Sequence, residues 1–325
     1  SLFYIIFSIT KKGDRNMEKE KLVKALENYF EDCKFRKRLN NKTIKAYKID
    51  LNQFFETVNN LDDEVKEINE YIFFLNKKYS KHKTVKRKLA SVKAFYSYLE
   101  YEEIIEYSPF NKVRTKIKEP HVLPKTIQKE NIEKIIQYLF DRVSSAKTDF
   151  QTIISIRNIA IIGLLFSTGI RISELCNIKV ADINFNEKTL KIFGKGSKER
   201  ILYIGNETVV DFCKKYKQLN EYVSENDYFF LNRFGKQISD QSVRIFLKNI
   251  ESELKLTEHI TPHMFRHTFA TTLLEKDVDI RYIQSILGHS SISTTQIYTH
   301  VTYFKQKEIM ANKNPISDFL YAKNN

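Results

Sequence analysis

From residue 18 to residue 108 the chain contains neither glycine nor proline. Those residues are the strongest interrupters of regular structure, and apolar positions recur at helical spacing in four stretches, near 18–36, 41–59, 63–79 and 82–103. Such helices are stabilised by burying their stripes against one another, so residues 17–108 are predicted to form a small helical bundle. Pro109, Pro120 and Pro124 then punctuate NKVRTKIKEPHVLPK, a basic stretch with little periodicity, and 109–127 is expected to be a linker. Residues 128–325 are expected to form a second domain, mostly helical. There TLKIF and RILYI alternate around a glycine-flanked turn, which predicts a small antiparallel sheet with strands near 182–186, 189–194 and 200–204. The expected fold class is mainly α.

Charge narrows the partner. The 325 residues carry a net charge of +14, with a pI near 9.4, the footprint of a protein that binds a polyanion. Residues 34–48 and 77–88 each hold seven Lys or Arg, and the second run has no acid. A high charge content alone makes some solvated clusters. Both runs, however, lead into amphipathic patterns, so they sit at helix N-terminal ends, where phosphate is favoured by the dipole. Lys42, Lys45, Lys83, Lys86, Arg87 and Lys88 are therefore expected to contact DNA phosphates, positioning a duplex without reading it.

Cys33, Cys176 and Cys213 have no paired spacing, so neither a disulfide framework nor a zinc knuckle is indicated, and a reducing cytoplasm is the expected location. The run IAIIGLLF at 159–166 is too short to cross a bilayer and is read as a buried helix, with no membrane partner expected. SLFYIIFSIT lacks the basic flank and cleavage site of a secretory signal. The following Lys-Lys-Gly-Asp can be encoded by a purine tract of the ribosome-binding kind. Residues 1–16 are accordingly expected to be a translated leader outside the fold, with Met17 as the start.

Four strings carry the chemistry: TGIRISEL at 168–175, GKGSKER at 194–200, HMFRHTFAT at 263–271 and LGHSSISTTQIYTH at 287–300. Each alone is weak: an H-x-x-R pair is ordinarily a surface helix pair, a Gly-Lys loop a solvated hairpin, and a lone tyrosine packing. His263 and His267 could hold a metal at i, i+4, but Met264 stands where a zinc protease has glutamate. No metal or cofactor is expected, and His267 is read as a buried support.

In their order and joint presence the four strings resemble the tyrosine recombinase (phage integrase) family, most closely its Xer-like bacterial branch, over residues from about 20 to about 305. The resemblance implies an N-terminal SAM-like core-binding bundle and a catalytic domain of the DNA breaking-rejoining fold. Asn41 ahead of TIKAYKIDLNQFF and Lys83 ahead of TVKRKLASVKAFYSYL look like parts of that bundle. It also implies six functional residues: Arg171, Lys195 with Lys198 as the fallback, His263, Arg266, His289 and Tyr298.

What these residue types can do agrees. Guanidiniums stay charged and present a planar fork to the oxygens of a pentavalent phosphate, the role suited to Arg171 and Arg266. His263 and Arg266, three apart in a helix begun by Thr261 as N-cap and Pro262 at its first position, share a face. Tyr298 is a weak nucleophile at its free pKa of about 10 and needs a base, for which His263 is the candidate. Lys195, on a mobile-looking glycine-flanked loop, is the candidate acid for the departing 5′ oxygen. His289 is expected to hydrogen-bond a non-bridging oxygen, and Glu174 to hold Arg171 by an ion pair.

The resulting expectation is a site-specific DNA recombinase that breaks and rejoins strands through a 3′-phosphotyrosine, without metal or ATP. Chromosome dimer resolution and mobile-element integration both stay open. The alternatives are a catalytically silent DNA-binding accessory protein and relaxation of the type IB topoisomerase kind. The expected partners are double-stranded DNA with paired recognition sites and a homo-tetramer on that DNA, with a second recombinase or accessory factor left open. The late apolar group Ile316, Phe319, Leu320 and Tyr321 is expected, as in the resembling family, to dock on a neighbouring protomer.

Overall fold

The computed structural model describes residues 16–58, 64–115, 125–194, 199–224, 227–288 and 307–320. The chain divides into two compact units between Val122 and Leu123.

The regular elements of the first unit's described residues are all helical: α1 (Asn16–Glu31), α2 (Asn41–Thr57), α3 (Glu64–Lys78) and α4 (His82–Tyr101), followed by a 3-10 turn at Pro109–Lys112. Leu26, Tyr29, Leu51, Phe54, Ile68, Leu75, Val85 and Phe95 form its interior, at the helical spacings read from the sequence. The expected first helix, 18–36, is interrupted. At Asp32 it widens into a π turn over Asp32–Arg36, which brings Arg36 and Lys37 to the Asp32 carboxylate. The N-cap of α2 is Asn40, one residue before the Asn41 singled out, with its Oδ1 accepting from Thr43 N at 2.8 Å.

The second unit is built around α6 (Asp149–Thr168), which packs against α5 (Lys129–Ser144), α8 (Glu207–Leu219) and α11 (Pro262–Glu275). Thr148 caps α6 by accepting from Gln151 N, and Gly169 ends it in the left-handed conformation. The run at 159–166 is part of this longer helix. At 20 residues α6 is long and apolar enough to cross a bilayer, so the expectation that length excludes a membrane is corrected. Its place is nevertheless interior: from Ile159 to Thr168 every residue is buried within the unit.

After α6 come the short α7 (Ile172–Cys176) and a three-stranded antiparallel sheet, β1 (Ile183–Asn184), β2 (Thr189–Phe193) and β3 (Glu199–Tyr203), in that order. Its register pairs Ile183 with Leu190 and Leu190 with Leu202, which places these apolar residues on the covered face. The strands lie where the alternation put them, with the first shorter. Beyond α8 follow α9 (Glu221–Ser224), α10 (Asp240–Glu253), α11, α12 (Ile280–Leu287), a helical piece at 307–312 and α13 (Ser317–Leu320).

In the single chain the described part of the tail packs against the second unit. Ile309, Met310 and Ile316 are buried in the second unit's core, and the Phe319 ring lies 5.6 Å from Phe166. Buried Asn314 donates to the Ser167 carbonyl at 3.0 Å, and Lys276 pairs with Asp318 at 2.8 Å. Tyr321 lies outside the described residues.

Candidate active site

The tight link between α6 and α7 sets the first arginine. A Cβ on Gly169 would come within 2.5 Å of the Phe269 ring, and its φ of +62° is one that side-chain-bearing residues rarely adopt, so only glycine turns the chain here. Two residues on, Arg171 is the N-cap of α7, and its backbone N–H donates to Glu174 Oε2 at 2.8 Å while its Nη1 donates to Oε1 at 2.8 Å. The expectation that Glu174 supports Arg171 is met in geometry.

Glu174 has a second partner that the sequence reading missed. Arg200, the last residue of GKGSKER, donates from Nη1 to Oε1 at 3.1 Å and from Nη2 to Oε2 at 2.9 Å. Burial raises the pKa of Glu174, but the bonds from Arg200 and Arg171 outweigh it and hold the carboxyl below its ordinary range. The available signal was the final arginine of the loop string, set in a strand whose side chains alternate between faces.

Arg266 arrives from α11, capped by Thr261, which accepts from Met264 N, with Pro262 at the helix start as expected. Arg266 is 6% exposed, and its Nη1 and Nη2 donate to the carbonyls of Gly169, at 2.8 Å, and Leu287, at 2.7 Å. Burial, with the charges of Arg171 and Arg200, lowers its pKa to about 10 against the opposing pull of Glu174, so it remains a cation at neutral pH. Of five N–H donors the carbonyls take two.

His263, one helical turn earlier, is exposed at the surface of α11, and its pKa is lowered by burial of part of the ring and by Arg244, His267, Arg266 and Arg171. His267 is lowered by burial and by Arg266, but the residue is exposed, which corrects its reading as a buried support: its position on α11 turns it away from the core that Phe265 and Phe269 enter. Arg244 on α10 is a second cation the sequence reading did not single out. Among the described residues no group of three or more His, Cys, Asp or Glu is placed to hold a metal.

The structure thus brings Arg171, His263 and Arg266 into one electrostatic neighbourhood with Glu174 and Arg200. Lys195, Lys198, His289 and Tyr298 lie outside the described residues.

The phage integrase family model matches residues 125–305, and the phage integrase N-terminal SAM-like domain matches 26–103. The chain belongs to the phage integrase family of tyrosine recombinases. A tyrosine recombinase of Agathobacter rectalis is 52% identical over 90% of this chain and 97% of its own length. Tyrosine recombinase XerC of Leptospira interrogans is 34% identical over 91% of this chain and 94% of its own. The fold is shared with the XerH site-specific recombinase solved in a post-cleavage complex with a palindromic difH substrate, at a TM-score of 0.63 and 21% identity, covering 96% of this chain and 94% of that one. The Xer-like character of this tyrosine recombinase is therefore established across nearly its whole length.

The basic helix ends in the first unit are not equivalent. Lys42, Lys45, Lys83 and Arg87 are exposed and Lys86 is half-buried. Lys88 is 5% exposed, and its Nζ is held by Asp50 Oδ1 at 2.9 Å. That placement corrects the expectation of a phosphate contact for Lys88: it faces the bundle interior because α4 turns that position onto the fully buried Asp50, which also accepts from Ser91 Oγ at 2.8 Å and from Arg87.

Proposed function

We propose that this protein is a site-specific DNA recombinase that cleaves and rejoins strands through Tyr298. The observation that carries the reading is the pair Arg171 and Arg266, two guanidiniums fixed by separate anchors, the Glu174 carboxylate for the first and the Gly169 and Leu287 carbonyls for the second, beside a histidine whose pKa is held down. Such cations, placed before reaction, stabilise charge gathering on the non-bridging oxygens of a phosphodiester.

In the proposed step the Tyr298 oxygen bonds to phosphorus and the bond to the 5′ oxygen breaks. His263 takes the tyrosine proton, Lys195 gives a proton to the leaving 5′ oxygen, and His289 donates to a non-bridging oxygen. The product is a 3′-phosphotyrosyl link and a free 5′ hydroxyl. Because the link conserves the bond energy, a second 5′ hydroxyl reverses the step without ATP, and no cofactor enters. The exposed Lys42, Lys45, Lys83 and Arg87, with Lys86, position the duplex through its phosphates. The proposed assembly is a homo-tetramer on paired sites, acting in the cytoplasm, in dimer resolution or in movement of a mobile element.

The test is recovery of covalent adducts after wild type and Tyr298→Phe are each incubated with fragmented DNA from the source genome. Adducts from wild type alone support the reading. One recovered locus assigns dimer resolution, and element ends assign integration. Equal adduct from both proteins contradicts it.

A further inference from the structure

The Arg200 side chain ties three separate segments together. It leaves β3, bonds both oxygens of Glu174 on α7, and donates from Nε to the Ile286 carbonyl of α12 at 3.0 Å. The next carbonyl along α12, that of Leu287, receives Arg266, and the Glu174 oxygen Oε1 is shared with Arg171. One side chain therefore bonds the anchor of Arg171 and the residue next to one anchor of Arg266.

Two further observations separate Arg200 from a phosphate ligand. Arg266 bonds the carbonyls through Nη1 and Nη2, whereas Nε, Nη1 and Nη2 of Arg200 are all engaged with the protein. Its guanidinium also fills the space over Gly288. A Cβ there would lie 3.0 Å from Nη1 and 3.1 Å from Cζ, and φ at that glycine is +64°. Gly288 is the second residue of the LGH string, directly before His289 in sequence, so the guanidinium of Arg200 is packed against the backbone at Gly288.

We propose that Arg200 is a positioning residue of the cleavage site, a strut that fixes α7 with Arg171 and the end of α12 with the Arg266 anchor in one frame, without itself touching the phosphate. The proposal rests on the recombinase reading. A buried two-point guanidinium-carboxylate contact is geometrically restrictive, whereas lysine offers a single point charge. Loss of the strut leaves the phosphate-binding groups present but misaligned, and misplacement on the ångström scale is enough to cost roughly 100-fold in rate.

The experiment compares wild type, Arg200→Met, Arg200→Lys, Glu174→Gln and the Arg200→Met/Glu174→Gln pair on a nicked duplex carrying a site recovered from wild-type adducts, with Tyr298→Phe as the blank. Single-turnover adduct formation at saturating DNA and the salt dependence of Kd are both read. The expected result for Arg200→Met is a loss of roughly 10- to 100-fold in adduct rate, with Kd and its salt slope unchanged. The double variant is expected to lose less than the product of the two single losses, because both changes break the Arg200–Glu174 tie. Arg200→Lys, which keeps the charge, is expected to fall between wild type and Arg200→Met, and it decides the matter should Arg200→Met not fold.

Three results overturn the proposal: a wild-type rate in Arg200→Lys or Arg200→Met, a salt slope reduced by about one, which marks a direct phosphate contact, or losses that multiply in the double variant. If wild type forms no adduct while Tyr298→Phe is also blank, the recombinase reading itself falls, and with it this proposal.

Discussion

Arg266 and Leu287 are joined by a 2.7 Å hydrogen bond from Nη2 to the last carbonyl of α12, while Nη1 of the same guanidinium reaches the Gly169 carbonyl. A buried cation is thus anchored to the ends of two helices at once. C-terminal helix carbonyls carry partial negative charge, which suits them to hold a guanidinium.

Arg266→Lys keeps the charge but cannot reach both carbonyls. The orphaned buried carbonyl should cost about 1–3 kcal/mol of stability, measured by urea unfolding. Arg171→Ala and Arg266→Ala should each lose on the order of 2.7–4 kcal/mol of transition-state stabilisation, by analogy with oxyanion donors. Unfolding that matches wild type in Arg266→Lys would contradict the anchoring.

His263 and His267 both have pKa values below the ordinary histidine value, through burial and the neighbouring arginines. A lowered pKa keeps His263 neutral, and so able to accept the tyrosine proton, as the pH falls through the ordinary histidine range. Adduct formation should therefore persist below pH ~6.5 and decline only at lower pH. The same direction makes folding lose stability as pH falls through that range, because the unfolded chain takes up the protons more readily. A single-turnover pH profile checks the first point; an acid limb above the ordinary histidine pKa would refute it.

Asp50 lies at 0% exposure with Lys88 at 2.9 Å, and Arg87 and Ser91 also donate to it. Removing one member of a buried pair leaves the other uncompensated, so Asp50→Asn should destabilise the protein by about 3–5 kcal/mol. Thermal unfolding of full-length protein reads this, and a change within 0.5 kcal/mol, about the scatter expected of a surface substitution, would show the pair to be unimportant.

The exposed cations give a different signature. Lys42→Ala and Lys83→Ala should weaken binding on any duplex and each lower the salt slope of log Kd by about one. A titration series in salt would detect it, and loss confined to one DNA sequence would point to base contact instead.

Much of this was legible in the residues. The glycine-free and proline-free stretch gave away the helices of the first unit, and Thr261-Pro262 marked the start of α11, because caps and breakers act locally. What stayed hidden depends on tertiary placement. Lys83 and Lys88 belong to the same basic run, yet only the fold turns one to solvent and the other onto Asp50. Arg200 stood in plain view in GKGSKER, but its partners are Glu174 and Ile286, 26 and 86 residues away. The tail's apolar residues showed that they needed cover, and could not show that Phe166 and Ser167 of the same chain supply it.

The central claim is that Tyr298 is the nucleophile, and peptide mapping tests it most directly. Adducts formed on DNA are digested with protease and nuclease, and the nucleotide-bearing peptide is sequenced by mass spectrometry. The account predicts a peptide spanning Tyr298 with the nucleotide attached through its 3′ phosphate. Attachment at another residue, or through a 5′ phosphate, would contradict it.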